Sequence, residues 1–80
     1  MSRWKRPLTA KEAKTIAKNL GFYHRNTEGG HEQWVREEPP PFRKITITPH
    51  EQPFRHILVG YMARQAGVSV RVFYEALFGD

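Results

Sequence analysis

Apolar residues recur at Ala13, Ile16, Ala17 and Leu20, the spacing of one helix face. Thr9 precedes Glu12 by three positions, so a hydroxyl and a carboxylate can cap the first turn reciprocally. Gly21 ends this helix, because glycine enters the left-handed region without a Cβ penalty. The period then changes. Phe22-Tyr23-His24-Arg25 favours extended backbone, Thr27-Glu28-Gly29-Gly30 reads as a hairpin turn, and His31 to Arg36 is the returning strand. Glu37-Glu38-Pro39-Pro40-Pro41 cannot continue a paired strand, since proline has no N–H to donate, and leads as a stiff loop into a third strand, Arg43 to Thr48. After Pro53, Ile57, Leu58, Tyr61 and Met62 form a helical stripe that stops at Gly67. Ser69 can cap a last short helix holding Val72, Phe73, Ala76 and Leu77.

This order predicts an α+β domain: α-β-β-β-α with a three-stranded antiparallel sheet, plus a short C-terminal helix. A chain of 80 residues buries only about 60% of its unfolded surface and supports one core, so the helices must pack on one face of the sheet. A single domain over 1–80 is expected, with 1–8 as a basic N-terminal tail. Ile45 and Ile47 point inward, which turns Lys44, Thr46 and Thr48 outward; Trp34 inward turns His31, Gln33 and Val35 outward. With Phe22 inward, Tyr23 and Arg25 join them. The open face would combine cationic, aromatic and hydrogen-bonding groups, a mixture suited to phosphate and base contacts. A bulge near the Gly-Gly turn would move His31 to the other side.

Charge strengthens that reading. The net charge is +5, and a small surface with a positive excess attracts polyanions. Residues 1–25 carry Arg3, Lys5, Arg6, Lys11, Lys14, Lys18 and Arg25 against Glu12 alone. The stretch 26–41 reverses the sign through Glu28, Glu32, Glu37 and Glu38. Lys11, Lys14 and Lys18 taken alone read as the solvated side of an amphipathic helix. The chain has no cysteine, which excludes disulfide stapling and thiolate zinc sites, and no apolar run fits a membrane span or a signal peptide. A soluble, cytoplasmic protein is expected.

His31 is the leading candidate for chemistry. It follows a double-glycine turn at a strand start, where small neighbours let a phosphate backbone approach and an imidazole can exchange a proton near neutrality. His24, His50 and His56 complete the set, with spacings that match no compact metal motif. No metal and no cofactor is expected.

Leu20-Gly21-Phe22, Gly29-Gly30-His31 with Trp34 beyond it, Ile45-Thr46-Ile47 running into Pro49-His50, and Gln65-Ala66-Gly67-Val68-Ser69 before Phe73 together resemble the HicA (YcfA-like) toxin family, from Thr9 to Leu77. The resemblance implies a dsRBD-like fold and a messenger-RNA endoribonuclease of a type II toxin-antitoxin system, held inactive by a HicB-like antitoxin. It puts the family's essential histidine on His31. Gly30 stands where the family often has a hydroxyl residue, and 51–57 lacks its common Gly-Thr. Cleavage would proceed by attack of a ribose 2′-OH on its own 3′-phosphate, with His31 moving one proton. Gly29 and Gly30 would admit the substrate, Arg25 and Lys44 would neutralise the added charge, with Lys5 or Arg6 more remote, and Tyr23 could stack on a base. The second proton falls to His24, His50, Tyr23 or water. Two other readings remain open: a non-catalytic RNA-binding domain, and a DNA-binding helix-turn-helix around Ala63 to Ser69, whose last helix offers mainly Arg71 and Glu75 to base edges.

Overall fold

The computed structural model describes residues 6–79. Helix α1 (Ala10–Asn19) is followed by strands β1 (Tyr23–Glu28), β2 (His31–Arg36) and β3 (Arg43–Ile47), then by helices α2 (His56–Ala66) and α3 (Val70–Glu75). The sheet is antiparallel in the order β1-β2-β3. The fold is therefore α+β, α-β-β-β-α with a short C-terminal helix. No helix among the described residues is long and apolar enough to cross a membrane.

The helix ends follow local chemistry. Thr9 Oγ1 accepts from the Glu12 N–H at 3.1 Å while the Glu12 carboxylate accepts from the Thr9 N–H at 3.0 Å, which closes the capping box. Ser69 caps α3 through the Val72 N–H at 3.1 Å. Gly67 ends α2 at φ +80°, a conformation that calls for glycine, and the Arg43 guanidinium packs over it, 2.4 Å from where a Cβ would stand.

The core joins Ala13, Ile16 and Ala17 of α1 to Val59, Met62, Ala63 and Ala66 of α2, Phe73 and Tyr74 of α3, and Trp34, Ile45 and Ile47 of the sheet. Both terminal segments therefore cover one sheet face, as a single-core chain requires. The stripe read from the sequence for α2 is half right: Met62 is buried and Leu58 packs against the core, but Ile57 and Tyr61 are more than half exposed, and Val59, Ala63 and Ala66 complete the buried side instead.

Other expectations are corrected at the edges. Phe22 is buried just before β1, and that strand runs on to Glu28, leaving Gly29 and Gly30 alone as a two-residue turn with φ +56° and +83°. The basic tail cannot extend through position 8: Leu8 is fully buried and exchanges backbone hydrogen bonds with Phe54 at 3.0 and 2.7 Å. Arg6 is held by the Glu12 carboxylate through two bonds, at 3.1 and 2.8 Å, and its carbonyl accepts from the Tyr74 hydroxyl. Lys14 is not purely solvated; its ammonium lies 3.0 Å from the Glu32 carboxylate. Val35, expected outward, is buried on the open face between its cross-strand partners Tyr23 and Lys44 and lies outside the main core cluster.

Candidate nucleic-acid interface

Register fixes which side chains share the uncovered sheet face. Gln33 pairs with Asn26 and Thr46, Val35 with Tyr23 and Lys44, and His31 with Glu28. Successive residues alternate sides, so Tyr23, Asn26, Glu28, His31, Gln33, Val35, Lys44 and Thr46 lie on this face, while His24, Glu32 and Trp34 lie on the other. The bulge is in β1, between His24 and Asn26, and not beside the Gly-Gly turn. His31 therefore keeps the orientation that simple alternation predicts. What the bulge changes is β1: beyond it, Asn26 and Glu28 take the open side. Arg25 joins Asn26, Glu28, Gln33 and Lys44 around a shallow polar depression.

His31 is exposed, and its ring is fixed from one side. Its Nδ1 is hydrogen-bonded to Thr48 Oγ1 at 2.8 Å, and the Thr48 side belongs to a residue only 7% exposed. That leaves Nε2 for a ligand. After Thr48 the chain makes a 3-10 turn, Pro49–Glu51, closed by the Glu51 N–H donating to the Thr48 carbonyl at 2.9 Å. The turn returns His50 to the same place, with its ring 6.0 Å from that of His31 and tilted by 59°. Gly30 adjoins both: a Cβ on it would lie 3.4 Å from His50 Nδ1. The hydroxyl residue that the resemblance led one to expect at position 30 would meet both a positive φ and this ring.

The other candidates are dispersed. His24 lies on the covered side, bonded through Nε2 to Thr27 Oγ1 at 2.7 Å and 5.6 Å from the Trp34 ring. Tyr23 is about half exposed and donates to Glu37 at 3.2 Å. Its hydroxyl pKa is pushed up, first by partial desolvation and then by the Glu37 charge, so it stays protonated at neutral pH. Lys44 opposes Val35, four residues along β2 from His31, which at roughly 3.3 Å per residue puts its backbone about 13 Å away. Arg25 and Lys44 thus form a cationic site separate from the histidines. Arg6 is committed to Glu12, and Lys5 lies outside the described residues. Among the described residues no group of three or more His, Asp or Glu could hold a metal ion.

No protein-family model, curated protein or solved structure matches this chain.

Periodicity pointed to His31, Gln33, Thr46 and Thr48 but missed Asn26 and the bond that Thr48 makes. Asn26 reaches the open face only because of the bulge, and no residue type near Arg25 announces one. Thr48 lay on the expected face, yet its bond to His31 depends on where two strands end side by side.

Electrostatics divides the two faces. Glu12 has its pKa lowered chiefly by the hydrogen bonds from Arg6. For Glu32 desolvation is the largest single influence and acts upward, but the bonds from Lys14 and Trp34 together outweigh it, and the net direction is down. Both anions are therefore engaged in structure: Glu12 ties the segment before α1 to the helix start, and Glu32 ties α1 to the sheet. On the open face Glu28 stands opposite His31, and Arg25 and Lys44 supply the positive charge beyond it.

Proposed function

We propose that this chain is a HicA-like toxin of a type II toxin-antitoxin system: a metal-independent messenger-RNA endoribonuclease, acting in the cytoplasm and inhibited by a HicB-like antitoxin. The observation that carries this reading is an exposed histidine, His31, held by Thr48 beside a two-glycine turn on the uncovered face of a small basic domain. Imidazole accepts and donates protons at neutral pH, and the glycines leave the approach to it unobstructed by side chains. RNA carries its own nucleophile in the 2′-OH, so cleavage needs only positioned proton transfer and charge stabilisation. Arg25 and Lys44 bind phosphates next to the reacting one, and Tyr23, Asn26 and Gln33 contact sugar or base. The antitoxin covers the same face, because eighty residues leave one uncovered sheet surface for substrate and inhibitor alike.

A DNA-binding reading is less well supported. Helix α3 has only six residues, and its exposed side presents Val70 and Val72, with Arg71 tied to Glu75 at 3.2 Å.

The test is expression of the chain with and without His31→Ala, scoring growth and RNA integrity, together with cleavage of purified RNA in the presence of a chelator. The intact chain arrests growth and cleaves RNA, and His31→Ala lowers the cleavage rate by roughly 10²–10⁴-fold, the usual share of one acid-base group. Equal toxicity and equal cleavage by the two forms would refute the reading, and RNA binding without cleavage by either would leave a binding domain.

A further inference from the structure

Transesterification of RNA needs two proton transfers, one from the 2′-OH and one to the departing 5′-oxygen, and His31 alone provides one of them at a time. The groups able to supply the other are separated by the fold. His24 faces the covered side against Trp34, Tyr23 lies at the far end of β1 bonded to Glu37, and His56 opens α2. His50 is the one whose ring stands beside His31, 6.0 Å away. Rings whose centroids are that far apart leave room between them for the oxygens of one phosphodiester to meet both.

We infer that His50 is the second proton-transfer group of this site, the general acid to the general base of His31. The inference rests on the ribonuclease reading of the same face. The division of roles follows from the surroundings. Thr48 Oγ1 holds His31 at Nδ1; in the tautomer with hydrogen on that nitrogen, the hydroxyl accepts and Nε2 is left unprotonated, as a base requires. His50 sits in the exposed 3-10 turn, where its ring is open to exchange protons with water. The His50 ring packs directly against Gly30, whose Cβ position lies at van der Waals distance from its Nδ1 and Cε1, next to His31.

In the step itself His31 Nε2 takes the proton of the 2′-OH, and the 2′-oxygen forms a bond to phosphorus. The bond from phosphorus to the 5′-oxygen breaks, and that oxygen receives the proton of His50. The products are a 2′,3′-cyclic phosphate and a 5′-hydroxyl, with one proton transferred in and one out. His31 is left protonated and His50 neutral, and exchange with water restores both.

The experiment compares His50→Gln and His31→Ala on an oligoribonucleotide and on the same oligomer with sulfur in place of the 5′-leaving oxygen at one linkage. A thiolate departs without a proton, so the sulfur substrate bypasses a general acid but not a general base. His50→Gln is expected to lose roughly 10²-fold or more on the oxygen substrate and to recover to within about tenfold of the unmodified chain on the sulfur substrate. His31→Ala is expected to stay impaired on both. The ratio of the two rates within one variant is independent of how much of it is folded. An unchanged ratio in His50→Gln, or cleavage of the oxygen substrate at the parental rate, would overturn the role of His50, as would rescue of His31→Ala instead. If His31→Ala cleaves normally, the ribonuclease reading itself fails; if it is inactive while His50→Gln is not, only the role of His50 does.

Discussion

Thr48 shows how much a single side chain decides in this site. It is buried at the end of β3, and its hydroxyl is the only group bonded to the His31 ring among the described residues. Valine has nearly the same shape and lacks the hydroxyl. Thr48→Val is expected to preserve the fold, with a thermal midpoint within a few degrees of the parent, and to lower RNA cleavage about tenfold or more by freeing the His31 tautomer and ring orientation. Unfolding curves and initial rates measured side by side check this. Gly30 illustrates the limit of reading residues singly. Its φ of +83° could be anticipated from the Gly-Gly turn, but its neighbour, the His50 ring at van der Waals distance, belongs to a segment twenty positions away.

At the scale of elements, α1 is joined to its surroundings by two carboxylates. Glu12 closes the capping box and holds Arg6, and Glu32 in β2 accepts from Lys14 and from the Trp34 indole. Both have pKa values below the ordinary glutamate range. A group depressed on folding stabilises the native state fully above its unfolded pKa, near 4.3, and loses that contribution as pH falls through the lower folded value. The thermal midpoint is thus expected to hold from neutrality down to about pH 5 and to decline below roughly pH 4.5. Glu12→Gln should flatten part of that decline while lowering the midpoint at pH 7; a pH series of unfolding curves on both forms measures it. The α1 signals were legible because capping chemistry is local. The buried side of α2 was not. Ile57 and Tyr61 flank Leu58 and Met62 on one side of the helix as Val59, Ala63 and Ala66 do on the other, and only packing against the core selected the second set.

Across the whole molecule, one sheet face carries the core and the other carries the proposed chemistry, with Arg25 and Lys44 set apart from the histidine pair. This separation has a measurable consequence. Each phosphate neutralised on a single strand contributes about −0.7 to the slope of log affinity against log salt. Replacing both Arg25 and Lys44 by alanine should weaken binding of single-stranded RNA and reduce that slope by about 1.4, whereas His31→Ala should leave it nearly unchanged. Titrations at several salt concentrations distinguish the two.

The order of elements, the single core, the helix caps, the two-glycine turn and the outward side of His31 were determined by the sequence alone, because each depends on periodicity or on chemistry within a few residues. Only the tertiary structure decided the bulge at Arg25, the burial of Val35, the anchoring of Arg6 and Leu8, and the meeting of His31 with Thr48 and His50. These depend on strand register and on how the loop after β3 turns back, and many different residues along the chain are compatible with either outcome. The physical reason is one of range: capping and alternation are settled between neighbours, whereas the site joins the start of one strand to the end of another, and the packing of the sheet against its helices is what brings them within a hydrogen bond.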